Sequence, residues 1–201
     1  MSPTLKSTLF NIFLLAFLAA LPGFSGATED WSKLDPGKKT KLELYMTPQQ
    51  AQDAKLANPG KTLFVDVRTP EELTFVGSAT STDANVPLQL IDTDKWDDKS
   101  KQYVMTSNKS FVADVDARLA KKGMAKDDMV ILMCRSGHRS ANGVNLLAAA
   151  GYTNVFNQVE GFEGDKAKDG PTKGQRTLNG WKNAGMPWSY KLDKDVAYIV
   201  E

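Results

Sequence analysis

Met129-Val130-Ile131-Leu132-Met133-Cys134-Arg135-Ser136-Gly137-His138-Arg139-Ser140 is the stretch on which the reading of this 201-residue chain turns. Five consecutive apolar residues lead into a short polar turn that holds the chain's one Cys and its one His. A run of that length and composition suits a strand covered on both faces, as in a parallel sheet. The residues after the turn read as a helix over about Ser140 to Ala150, with Gly151 as its stop. Strand, turn and helix in that order place the turn at the carboxyl edge of a sheet, where ligand sites of open α/β folds lie. The unpaired amides that open the helix point back at it.

The rest of the chain repeats the pattern. Thr47-Pro48-Gln49-Gln50 carries a cap, a proline at the first helical position and a capping-box Gln, predicting a helix from Pro48 to about Ala57. Leu63-Phe64-Val65-Asp66-Val67 reads as another buried strand, and Thr69-Pro70-Glu71-Glu72 as another capped helical turn. Leu42 to Tyr45, Val86 to Leu90 and Thr153 to Val159 are weaker strand candidates. Phe111, Val115 and Leu119 repeat every four residues on a helix that Gly123 ends. The alternation predicts an α/β fold, a three-layer domain with a central parallel sheet flanked by helices. The domain is assigned to residues 42–190, with polar insertions at 92–108 and 163–179, a flexible arm at 28–41 and a tail at 191–201.

Composition narrows the chemistry. A hydrophobic content of 41% excludes a disordered tail-like chain, and a net charge of +1 excludes a bulk field for nucleic acid. One Cys cannot close an internal disulfide, and one His cannot build a multi-histidine metal centre, so neither metal nor other cofactor is expected. Residues 1–27 pair Lys6 with an apolar run from Leu9 to Leu21, then Pro22-Gly23 and the small residues Ser25-Gly26-Ala27. That order reads as a secretory signal cut after Ala27, the alternative being an uncleaved anchor. Removing it takes Lys6 and no acid, leaving a neutral chain in a periplasmic or secreted setting, with no stable membrane association.

In the turn itself, Arg135, His138 and Arg139 bring positive charge to Cys134, Gly137 lets the backbone fold tightly, and the helix dipole favours a thiolate with a lowered pKa. The expected site is a nucleophilic sulfur inside an anion cradle. A core thiol, a solvated His138 and a structural Asp66–Arg68 ion pair are the plainer readings of the same residues.

The Cys134–Ser140 turn fits the Cys-x-x-Gly-x-Arg-Ser pattern of the rhodanese (sulfurtransferase) family, which the chain resembles over roughly residues 43–188. Val65-Asp66-Val67-Arg68 followed by Pro70-Glu71-Glu72 is similar to that family's first-strand signature. Val159-Glu160-Gly161-Phe162 with Gly180-Trp181 and Gly185-Met186-Pro187 is similar to its closing segment. Phe75-Val76-Gly77-Ser78-Ala79 departs from the family's Gly-His-Ile-x-Gly-Ala. The resemblance implies that Cys134 takes sulfur from a small anionic donor such as thiosulfate and passes it as a persulfide to cyanide, a thiol or a protein cysteine. It implies a substrate-binding loop of Arg135, Ser136, Gly137, His138, Arg139 and Ser140, with Arg135 and His138 on the donor's oxyanion. Arg139 is expected to face inward and brace the loop against carboxylates, with Asp66 the preferred partner, and Arg68 to support the first strand. Two other readings stay open: a non-catalytic sulfur carrier or partner-docking module, and a Cys-dependent phosphatase or arsenate reductase. The latter enzymes place one residue more between Cys and Arg than the four that separate Cys134 from Arg139.

Overall fold

A computed structural model describes residues 29–199, and the expected export segment lies outside the described residues. Five parallel strands form the central sheet: β1 (Tyr45–Met46), β2 (Thr62–Asp66), β4 (Ala84–Asn85), β7 (Met129–Met133) and β8 (Val155–Gln158). Their order across the sheet is β1-β8-β7-β2-β4, so β7 and β2 lie inside it, paired residue for residue from Thr62 opposite Met129 to Asp66 opposite Met133. Two short antiparallel pairs stand apart, β3 (Ser78–Ala79) with β9 (Trp188–Ser189) and β5 (Gln89–Asp97) with β6 (Gln102–Ser107).

The period of two in the apolar runs sorts the core onto the two faces. Leu63, Val65, Val130, Leu132 and Cys134 pack with Phe111, Val115, Val144 and Leu147 of α3 (Phe111–Lys121) and α4 (His138–Ala149). Phe64, Ile131 and Met133 pack on the other face with Ala51 and Ala54 of α1 (Pro48–Ala57), and with Phe162 and Trp181. This is the expected three-layer α/β fold. Both capping boxes form: Thr47 with Gln50 opens α1, and Thr69 with Glu72 opens α2 (Pro70–Val76). Among the described residues no helix is long and apolar enough to cross a membrane.

Three expectations need revision. Residues 31–38 are not a loose arm but two single 3-10 turns docked on the domain. Lys38 is buried there, its amine paired with Asp165 at 2.8 Å and its carbonyl accepting from Asn157 Nδ2 at 3.0 Å. The first strand lies at Tyr45–Met46 instead of 42–45, since its partners are Asn157 and Gln158. Residues 92–108 are largely exposed, as expected, but most of them form the β5–β6 hairpin, a ribbon whose strands satisfy each other's backbone groups and so need no place in the main sheet. The C-terminal residues also pack. Asn85 N donates to Val196 O at 2.6 Å, and Arg118 holds Asp195 O and Ala197 O, covering the edge of β4 and the end of α3.

Candidate active site

β7 ends with its last side chains still alternating between the two faces, and the alternation carries Cys134 inward, where it is 1% exposed. Gly137 N–H donates to Cys134 Sγ at 3.1 Å, and Ser140 Oγ–H donates at 3.4 Å. The turn closes so tightly because Gly137 takes φ 90°, ψ −16°. α4 therefore starts at His138, two residues before the expected Ser140. The cap is Gly137, and no side chain caps the helix. Ala141 N is the first amide to bond within the helix, to Gly137 O, so the amides of His138, Arg139 and Ser140 remain for the loop side.

The loop is held from outside by segments far along the chain. Phe162 N donates to Cys134 O at 2.7 Å, and the amides of Glu163 and Gly164 both donate to Arg135 O. Asn157 Nδ2 donates to Gly137 O at 3.1 Å while it also holds Lys38 O, so one buried amide fastens the 3-10 turn and the Cys134 loop together. Gly161 is at φ 70°, and a Cβ there would lie 2.3 Å from Arg135 C and Ser136 N, so the chain after β8 lies directly on the loop.

Cys134, Arg135, Ser136, His138 and Arg139 line a pocket of about 780 Å³. Gly137 and Ser140 do not line it; they act on the sulfur from behind, and Ser140 is fully buried. His138 is half-exposed at the pocket edge, its Nε2 3.7 Å from Asp35 of the docked turn. Arg139 corrects the sequence expectation. It makes a two-to-two pair with Glu72, at 2.7 and 2.6 Å, and not with Asp66. Asp66 is already taken: Arg68, two residues on, holds both its oxygens through Nε and Nη2, donates to Gly77 O and lies 4.0 Å over the Phe162 ring. Both partners of that ion pair are fully buried. Glu72 was visible as the N3 residue of a capping box, and it performs both tasks, since its Oε2 also accepts from Thr69 N.

Burial works against the charged form of Glu72, but the Arg139 hydrogen bonds and charge, with the Thr69 amide, outweigh it and hold the carboxyl below its ordinary value of 4.5. Burial likewise opposes the Arg139 charge, and Glu72 overcomes it, raising that guanidinium. A carboxyl depressed on folding contributes fully above its unfolded value and loses the contribution as pH falls through its folded one. Glu72→Gln is thus expected to cost about 2–3 kcal/mol near neutral pH and to flatten the acid limb of stability below about pH 4.5, as thermal melts against pH would report.

The two polar insertions form walls of the site. Ile91, Trp96, Tyr103 and Met105 come from the hairpin, and Asp165 and Arg176 from the 163–179 loop. Arg176 donates to Gly164 O at 2.5 Å; burial, and then the charge of Arg135, pushes its guanidinium below the usual range. No local signal marked these residues, because loop and hairpin reach the pocket only through tertiary docking.

The comparisons agree with this architecture. The profile of the Rhodanese-like domain matches residues 47–168. The chain is 29% identical over 126 residues to the uncharacterized protein RP600 of Rickettsia prowazekii, covering 63% of this chain and 81% of that protein. It is 29% identical over 143 residues to the RP600 homolog of Rickettsia rickettsii, covering 70% and 93%. Among solved structures, Rv0390 from M. tuberculosis matches with a TM-score of 0.56 and 28% identity, over 73% of this chain and 96% of that one. From its matched profile, its parallel sheet and its cysteine-bearing loop, the chain belongs to the rhodanese-like domain family.

Proposed function

We propose that the chain is a sulfurtransferase that works through a persulfide on Cys134. In the first step the Cys134 thiolate attacks the outer sulfur of thiosulfate or a similar anionic donor, and a new S–S bond forms. The donor's own S–S bond breaks, and sulfite leaves with its electron pair. In the second step a thiophilic acceptor takes the outer sulfur and returns the thiolate. Gly137 N–H and Ser140 Oγ–H hold the sulfur in place, and the loop amides stabilise charge that develops during transfer. Arg135 at the pocket wall suits the donor's oxyanion. The observation that carries this reading is a buried sulfur, held by two donors, on the floor of a cationic pocket.

A phosphoryl-transfer role is less favoured. Arg139, the side chain that would have to clasp a tetrahedral oxyanion, is bound at both ends of its fork by Glu72. We further propose that the protein works after export, with residues 1–27 removed. Intact mass of the protein purified from its own exported fraction, before and after thiosulfate, tests both points. The expected result is a chain lacking residues 1–27 that gains one sulfur atom and loses it to cyanide as thiocyanate. A persulfide that forms but turns over negligibly identifies a carrier. No sulfur uptake, with robust hydrolysis of phosphate esters, overturns the proposal.

A further inference from the structure

The pocket is far larger than an inorganic donor requires. Its volume of about 780 Å³ lies in the range of roughly 300–1,000 Å³ that accommodates organic ligands of drug size. The surplus is lined by the hairpin, and the register of the hairpin shows how. Ile91 pairs with Met105 and Asp92 with Val104; then the register shifts, and Trp96 pairs with Tyr103. Tyr103 and Met105 are two residues apart on β6, so they share a face. On β5, Ile91 and Trp96 are five apart, an odd interval that would put them on opposite faces. The irregularity at 93–95 absorbs the odd count and turns Trp96 to the Ile91 side. All four side chains line the cavity that contains Cys134. Trp96 and Tyr103 meet edge to face at 5.5 Å and are each about half exposed, 53% and 52%.

The charges of the same pocket are uneven. Glu72 is neutralised by Arg139 and Asp165 by Lys38, and Lys101 lies 3.5 Å from Asp98 at the exposed hairpin tip, which leaves the field to Arg135 and Arg176. An acceptor must approach the outer sulfur of the persulfide from the open side, so its body rests against whatever lines the mouth. Here that is an aromatic corner and, in the same pocket, a guanidinium.

We propose that the β5–β6 hairpin and Arg176 bind the body of the sulfur acceptor, an aromatic thiol that carries an acidic group. This rests on the reading of Cys134 as a sulfur carrier. The ring packs in the Trp96–Tyr103 corner against Ile91 and Met105, and the anion pairs with Arg176. The acceptor thiolate attacks the outer sulfur, and the persulfide S–S bond breaks. Its electron pair returns to Cys134 Sγ, and the proton of the persulfide leaves with the transferred sulfur. No oxidant or reductant enters.

The test is discharge of the persulfidated protein by 4-mercaptobenzoate, by 4-methylbenzenethiol and by mercaptoacetate, followed by intact mass. In the Trp96→Ala, Tyr103→Ala double variant, the ratio of 4-mercaptobenzoate to mercaptoacetate discharge is expected to fall about tenfold. In Arg176→Gln, the ratio of 4-mercaptobenzoate to 4-methylbenzenethiol discharge is expected to fall. Unchanged ratios overturn the proposal, and uniform slowing does the same, including where a protein cysteine is the true acceptor. A separate titration uses 4-methylbenzoate, which has no thiol, and reads the Trp96 indole by NMR. A shift confined to the hairpin supports the subsite, and no shift overturns it. Failure of Cys134 to take up sulfur instead overturns the sulfurtransferase reading, so the two failures are distinguishable.

Discussion

Gly137→Ala is expected to abolish sulfur uptake and to unfold the protein more easily, whereas Cys134→Ser abolishes uptake alone. A Cβ at Gly137 would lie 2.0 Å from Val159 O and 2.7 Å from Val159 C, at a φ of 90°. Neither side can yield. Val159 is buried, and its amide donates to Met46 O at the edge of the main sheet. Gly137 itself is pinned through its carbonyl by Asn157 and through its amide by the sulfur. The strained backbone and the clash together amount to about 3 kcal/mol or more. If the chain folds, it does so with the loop displaced, without the Gly137 donor and with the α4 amides moved off the sulfur. Loading by thiosulfate is then slowed at least ~100-fold. Cys134→Ser keeps a small side chain beside the same two donors, and its melting temperature stays close to that of the parent. Thiocyanate formation with melting curves on both variants checks the contrast. A Gly137→Ala protein that loads sulfur at the parent rate would show that the loop geometry is not what arms the thiol.

Asp66→Asn is expected to be the most destabilising change outside the loop, at about 3–5 kcal/mol. Asp66 and Arg68 are both fully buried, and three side-chain hydrogen bonds join them. Replacing the carboxylate leaves a guanidinium charge sealed beneath Phe162 with neutral acceptors alone, one amide oxygen at position 66 and Gly77 O, and sets an NH2 donor against its own N–H groups. For a chain of this size the loss corresponds to a melting temperature lower by roughly 10 °C. The double variant Asp66→Asn, Arg68→Met is expected to be more stable than Asp66→Asn alone, because the stranded charge is gone and methionine fills the apolar space over the ring. If the double variant melts lower than the single, burial of an unpaired charge is not the cause.

The strand, turn and helix from Met129 to Ala149 were legible because each signal there is local: an apolar run, a glycine at the turn and a helical period. α1 was readable to its bounds for the same reason, since Thr47, Pro48 and Gln50 announce its start and Asn58-Pro59-Gly60 its end. Where reading failed, the deciding partner was remote or already occupied. Arg139 turned to Glu72 because the nearer claim of Arg68 removed Asp66. The hairpin resembled solvated loop because its apolar side chains serve the pocket and not the core, so the strands lack the run of buried residues that marks β2 and β7. The docked turn at Pro36–Lys38 carries no apolar run, and what fixes it is Asn157 and Asp165, more than a hundred residues away. Of the candidate site, the sulfur and its two flanking arginines were readable from the motif. The roles of Gly137 and Ser140 behind the sulfur, and the whole of the outer wall, required the fold.

The bonds that close the Cys134 loop come from residues that a ribosome makes later. Asn157 must exist before Gly137 O is held, Phe162 before Cys134 O is held, and Gly164 before Arg135 O is fully satisfied. At ordinary synthesis rates of about 5–20 residues per second, roughly 1–5 s separate the making of Ser140 from that of Gly164. During that interval the chain carries its thiol without the scaffold that presents it. A chain truncated within that window would thus be a thiol protein with no armed nucleophile, and reactivity arrives only with the part of the domain that is made afterwards.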